Sequence, residues 1–297
     1  MSTLPSTGPS TGPVASRPRP PGALRMTPGR WITLVIGVPI ALAFIGWSAF
    51  SLIADIGQAS FPVSATIPVE HGRLVASTGG GDITVHQGRV SAGTARLTGT
   101  VRYSLVRPRF TVTGTDISLD CHIPTGNCGL NATLDVPADT AVDLTTGGGN
   151  VQASGIQHDV TMDTGGGDVT ISGTGGNTDL ATGGGNVTAD HLGGTVKFTT
   201  AGGDVSVNDL FSPDVTLETG GGNVTLVFTG APANLDITSN GGDVSVVLPH
   251  GGTYYHVKVT AHGGDYTASS TVPASPSGHP ITVASGGGNV SITEAAS

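Results

Sequence analysis

The sequence predicts an all-β fold: a single-stranded β-solenoid, or β-helix, of 18–24-residue rungs, preceded by one transmembrane α-helix. Three observations carry that prediction. A glycine-rich phrase recurs at nearly constant spacing, apolar and polar residues alternate on both sides of it, and an uncharged apolar run precedes the array. The phrase is Thr or Ser, two or three glycines, Asn or Asp, then Val, as in TGGGNV at 146–151 and TGGGDV at 164–169. Its Asn/Asp positions are Asn150, Asp168, Asn186, Asp204, Asn223, Asp243, Asp265 and Asn289, spaced by 18, 18, 18, 19, 20, 22 and 24 residues. A repeat of that length is a supersecondary unit that buries its apolar face only by stacking on its neighbours.

Each unit reads as two short strands. Val160/Met162 and Val196/Phe198 alternate with polar residues before the glycines, and Val169/Ile171 and Val205/Val207 after them. That is the period-two pattern of a half-buried strand. A unit is therefore strand, glycine corner, strand, looser corner. The glycines, Gly166 among them, are expected to supply positive φ at the corner. Stacked rungs place equivalent residues in ladders about 4.8 Å per step. From Asn150 to Asp243 the corner ladder alternates Asn and Asp, so carboxylates of adjacent rungs there are not direct neighbours if consecutive units stack. By strand parity Thr146, Thr164, Thr182, Thr200 and Thr219 point inward, while Asp143, Thr161, Asp179, Lys197, Thr216, Asp236 and Lys258 form a mixed polar outer column.

Taken in order, residues 1–30 are rich in Pro, Gly, Ser and Thr without apolar periodicity and read as a disordered cytoplasmic tail. LPSTG at 4–8 looks like a sortase signal, but that signal belongs near a C-terminus ahead of a hydrophobic tail. Residues 31–54 carry no charge, and 24 residues of helix span about 36 Å, enough to cross a hydrocarbon core of about 30 Å. Four arginines precede this run and Asp55 follows it, which predicts a cytoplasmic N-terminus and an extracellular C-terminal domain. The run is longer than a signal-peptide core and lacks a clean cleavage site, so an uncleaved signal anchor is expected. Residues 55–70 read as a stalk. Residues 71–140 read as an irregular β part, with an isolated early unit near 74–85 and longer strands at 95–105, 109–119 and 131–136. Residues 141–297 form the regular solenoid.

Aromatic residues make up 4% of the 297 residues and glycines number 48, which suits a thin stacked core better than one thick core. From residue 55 onward eight Lys/Arg face all 21 Asp/Glu, an acidic balance that argues against a nucleic-acid partner. Cys121 and Cys128 are the only cysteines. An exported location permits a disulfide closing the short loop between them. A metal reading through Cys121, His122 and Cys128 lacks a fourth ligand.

Other chemistry is weakly signalled. No glycine corner is followed by the lysine of a phosphate-binding loop. A calcium site needs six or more oxygens, whereas Asp168, Asp204 and Asp243 are too far apart to share one ion. The corner side chains are better read as caps on backbone amides. The nine histidines show no metal spacing, and no nucleophile–base pair stands out. No cofactor, metal or catalytic residue is expected.

The run from Ile117 to Gln152, with Cys121, Cys128 and VPADT ahead of the first regular corner, resembles the bacterial DUF4097 family of candidate adhesins. The resemblance is to an actinobacterial-type, membrane-anchored member and covers roughly residues 74–292. It implies a β-helical extracellular domain with a cell-surface role and carries over no site chemistry. The expected function is thus a single-pass, surface-displayed binding or structural module whose partner is a cell-surface protein or glycan. An envelope-stress or signalling accessory is the alternative, with the solenoid sensing outside and the basic tail reporting inside. A carbohydrate-active β-helix enzyme is the third reading.

Overall fold

The computed structural model describes residues 58–296 apart from 70, 105–106, 114–115, 121–127 and 269–271. The expected tail, the expected membrane span at 31–54 and Cys121 of the expected Cys121–Cys128 bridge lie outside the described residues. Among the described residues no helix is long and apolar enough to cross a membrane.

The N-terminal strands are β1 (Gln58–Pro68), β2 (Arg73–Thr78), β3 (Ile83–Gln87), β4 (Thr94–Ser104), β5 (Arg109–Thr113), β6 (Asp116–Asp120) and β7 (Cys128–Val136). Strand pairs flanking a glycine corner follow. They are β8 (Ala141–Thr146) with β9 (Val151–Ser154), β10 (Val160–Thr164) with β11 (Val169–Thr174), and β12 (Thr178–Thr182) with β13 (Val187–Leu192). Next come β14 (Thr195–Thr200) with β15 (Val205–Leu210), β16 (Asp214–Thr219) with β17 (Val224–Phe228), and β18 (Asn234–Ser239) with β19 (Val244–Leu248). The last are β20 (Tyr255–Ala261) with β21 (Tyr266–Ala268), and β22 (His279–Ser285) with β23 (Val290–Glu294).

The two members of each pair lie in different sheets, one of 12 strands and one of 11. Parallel pairing stacks like on like: Val160, Thr178, Val196 and Val215 align in one sheet, and Val169, Val187, Val205 and Val224 in the other. Leu144, Met162, Leu180, Phe198, Leu217 and Ile237 fill the space between the sheets with Ala153, Ile171, Ala189, Val207, Leu226 and Val246. All are at most 1% exposed. Each rung contributes only a few such side chains, so stability comes from repetition of one thin layer.

The two ends depart from sequence order. β22–β23 stacks directly on β18–β19, and β20–β21, although earlier in the chain, lies outside it. The lengthened spacing after Asp243 has this geometric cause: the connections must climb past one rung and return. At the other end β2–β3 stacks directly on β8–β9, while β6 and β7 lie beyond β2 and β3. β4 then pairs antiparallel with β7, and β1 with β4.

Two expectations are corrected here. Residues read as a stalk form the edge strand β1, because Phe61, Val63, Ala65 and Ile67 alternate and pack on the core. The single strand expected at 109–119 is instead two antiparallel strands, β5 and β6.

Candidate functional site

The glycine corners are built by close approach more than by unusual φ. An added Cβ at Gly167 would stand 1.9 Å from the Gly149 carbonyl oxygen, and one at Gly165 would stand 2.4 Å from that of Gly147. At Gly166 it would meet nothing within 4 Å, and Gly166 is not among the positive-φ residues. This overturns the expectation of positive φ at Gly166. A rung spacing of about 4.8 Å sets the carbonyl of one corner against the Cα of the next, and the third glycine takes that contact.

Thr164 sits under this corner, 1% exposed. Its hydroxyl donates to the Gly149 carbonyl of the neighbouring rung at 2.9 Å and accepts the Gly167 N–H at 3.1 Å. Thr182 does the same with the Gly167 carbonyl and the Gly185 N–H. A buried hydroxyl with both roles filled is structural, not a free nucleophile.

The Asn/Asp column is continuous. The backbone N–H of Asp168 donates to Asn150 Oδ1 at 2.9 Å, that of Asn186 to Asp168 Oδ1 at 2.8 Å, and that of Asp204 to Asn186 Oδ1 at 3.0 Å. Asn223 donates to Asp204, Asp243 to Asn223, Asn289 to Asp243, and Asp265 to Asn289. At the other end Asn150 donates to Asp82, and Asp82 to Asn131. In space the order is Asn131, Asp82, Asn150, Asp168, Asn186, Asp204, Asn223, Asp243, Asn289, Asp265. Amide and carboxylate alternate without exception. In sequence order the alternation fails twice, at Asn131 and Asn150 and at Asp243 and Asp265; the stacking order at the two ends restores it. Asp82, Asp168, Asp204 and Asp243 thus each accept a backbone amide of the next rung, while Asp265 ends the column by donating its own N–H, and among the described residues no three metal-ligating side chains converge.

The outer column runs Asp143, Thr161, Asp179, Lys197, Thr216, Asp236, then Thr282 and Lys258. Beside it is a shallow groove of about 500 Å³ lined by Asp163, Ala181, Thr199, Glu218 and Thr238 together with corner Thr and Gly residues. A second, of about 380 Å³, is lined by Asp159, Asn177, Thr195, Asp179 and Lys197. There the Asn177 N–H donates to Asp159 Oδ1 and the Thr195 N–H to Asn177 Oδ1.

The sequence reading missed one cluster. His191 and Asp209 occupy the same place on adjacent rungs and both have left-handed backbone, φ 57° and 51°. His191 Nδ1–H donates to Asp209 Oδ2, and the Thr229 hydroxyl donates to Asp209 Oδ1 at 2.7 Å. The Thr229 hydroxyl, then His191, hold the Asp209 carboxyl below its ordinary value. Phe211, 43% exposed, sets its ring 5.2 Å from the His191 ring at an interplanar angle of 64°. The available signal was positional: Gly155 and Gly173 hold this place in the two preceding rungs, and His191 and Asp209 break that run.

The Toastrack DUF4097 family model matches residues 62–293. Among solved structures, a candidate adhesin from Parabacteroides distasonis ATCC 8503 is similar at 12% identity, with 79% of this chain and 97% of that chain covered and a TM-score of 0.48. A candidate cell adhesion protein from Clostridium sporogenes ATCC 15579 aligns at 13% identity over 79% of this chain and 100% of that chain, with a TM-score of 0.27. No curated protein matches the chain.

Proposed function

The chain belongs to the Toastrack DUF4097 family, and from that premise we propose that it is an adhesin-like, non-catalytic binding or structural module displayed on the outer face of a membrane. The apolar run at 31–54 is its single-pass anchor, and the Cys121–Cys128 disulfide closes the loop between β6 and β7. The observation that carries the non-catalytic reading is the corner column. Asp168, Asp204 and Asp243 accept backbone amides from rung to rung, so the regularly repeated carboxylates hold the stack and do not stand free for acid–base chemistry. The broad polar faces of the two sheets remain for contact with other molecules.

The test is protease shaving of intact cells that express the full chain with a different epitope at each end. The C-terminal epitope is expected to disappear and the N-terminal one to survive until the cells are lysed. A C-terminal epitope that resists external protease, yet is cleaved after lysis, overturns surface display.

A further inference from the structure

We propose that Phe211, His191, Asp190 and Asn208 form a binding site for a neutral, hydroxyl-rich ring, that is, a sugar unit of an uncharged glycan. This deepens the surface-module reading and rests on it.

The first support is backbone conformation where none is demanded of a side chain. Gly155 (φ 70°) and Gly173 (φ 67°) fill this place in two rungs. A left-handed conformation is uncommon for a residue with a side chain, and residues held there cluster at ligand-contacting positions. The chain nevertheless sets His191 and Asp209 there, side by side.

The second support is fixation. Ionised Asp209 only accepts, so the Nδ1 of His191 carries the proton of their hydrogen bond. The other Asp209 oxygen is taken by Thr229. The imidazole is thereby oriented, with Nε2 on a side chain that is 60% exposed. The Thr229 hydroxyl donates to Asp209 and not to His191, so the group is not a nucleophile–base pair. It is a binding arrangement.

The third support is the platform. A Cβ at Gly193 would lie 2.6 Å from the Phe211 ring, so the missing side chain of the neighbouring rung makes room for the ring. A half-exposed aromatic ring beside polar groups suits a ligand with an apolar face and a hydroxylated edge. The C–H face of a sugar ring stacks on Phe211 while its hydroxyls bond to His191, Asp190 and Asn208. Asp190 and Asn208 are exposed neighbours in register on the same two rungs. A carboxylate and an amide side by side accept from and donate to adjacent hydroxyls. The acidic surroundings disfavour an anionic sugar. A single ring gives no aromatic cage for a quaternary ammonium ion.

The test uses the full chain in detergent micelles against immobilised probes. These are neutral oligosaccharides of glucose, galactose, mannose and N-acetylglucosamine, uronic-acid oligosaccharides, and choline. Binding to at least one neutral probe is expected. Phe211→Ala and His191→Gly should each weaken it by about tenfold or more, as removal of a central contact does. Tyr254→Ala, at a different exposed aromatic, should leave it unchanged. His191→Gly loses the contact to Asp209 but relieves the left-handed backbone, so its melting temperature should stay within a few degrees of wild type, which separates lost binding from lost fold. No neutral binding, or equal binding by Phe211→Ala, overturns the site. Binding only to the acidic sugars or to choline overturns its chemistry. If the site fails while protease shaving still finds the C-terminal epitope outside, surface display stands without it. If the epitope is protected as well, both fail.

Discussion

Gly166 and Gly167 are neighbours with opposite tolerances. Gly167→Ala drives a methyl group into the Gly149 carbonyl and is expected to cost about 1–3 kcal/mol, the usual range for overpacking. Gly166→Ala points into open space and is expected to stabilise by about 0.4–1 kcal/mol through the unfolded chain. Chemical denaturation of the two variants checks both signs. Asp209 supplies a pH-dependent contribution. Its carboxyl is depressed below the ordinary 3.8 by the Thr229 hydroxyl and then by His191. The stabilisation is therefore present above the unfolded value and is lost as pH falls through the folded one. The melting temperatures of the wild type and Asp209→Asn should differ near neutral pH and converge in strong acid.

At the scale of one element, the corner column has the clearest rule. Each carboxylate is flanked by amides, so adding one carboxylate at an amide position makes three in a row. Asn186→Asp would place charge between Asp168 and Asp204 and is expected to cost about 0.5–1 kcal/mol, as like charges do across adjacent strands. The loss should shrink in high salt, because these groups are exposed. A loss that is unaffected by salt would point to altered hydrogen bonding in place of repulsion. The two-strand unit and its inward threonines were readable from strand parity alone, since a period of two allows only two faces. The His191–Asp209–Phe211 cluster was not. Its members are 18 and 2 residues apart in sequence and become neighbours only when two rungs stack.

For the domain at 58–296, the exchange of the terminal rungs makes the strongest prediction. β20–β21 rests on β22–β23, which follows it in the chain. Deleting residues 279–297 should therefore release residues 255–268, although they precede the deletion. Hydrogen exchange should show their amides falling to near-unprotected rates while 160–228 stay protected. Persistent protection of 255–268 in the shortened chain would contradict the stacking order.

The sequence by itself determined the repeat, the alternation of faces, the corner residues and the family, because a repeated local pattern needs no knowledge of distant partners. It did not determine the order of the end rungs. Units joined by long connections can stack in more than one order, and local pattern does not distinguish them. Nor did it say why the corners are glycine. Tertiary structure decided that, since the constraint at Gly167 is the carbonyl of another rung and not its own φ. The site at His191 and Phe211 belongs to the same class, assembled by contacts that exist only once the rungs are stacked.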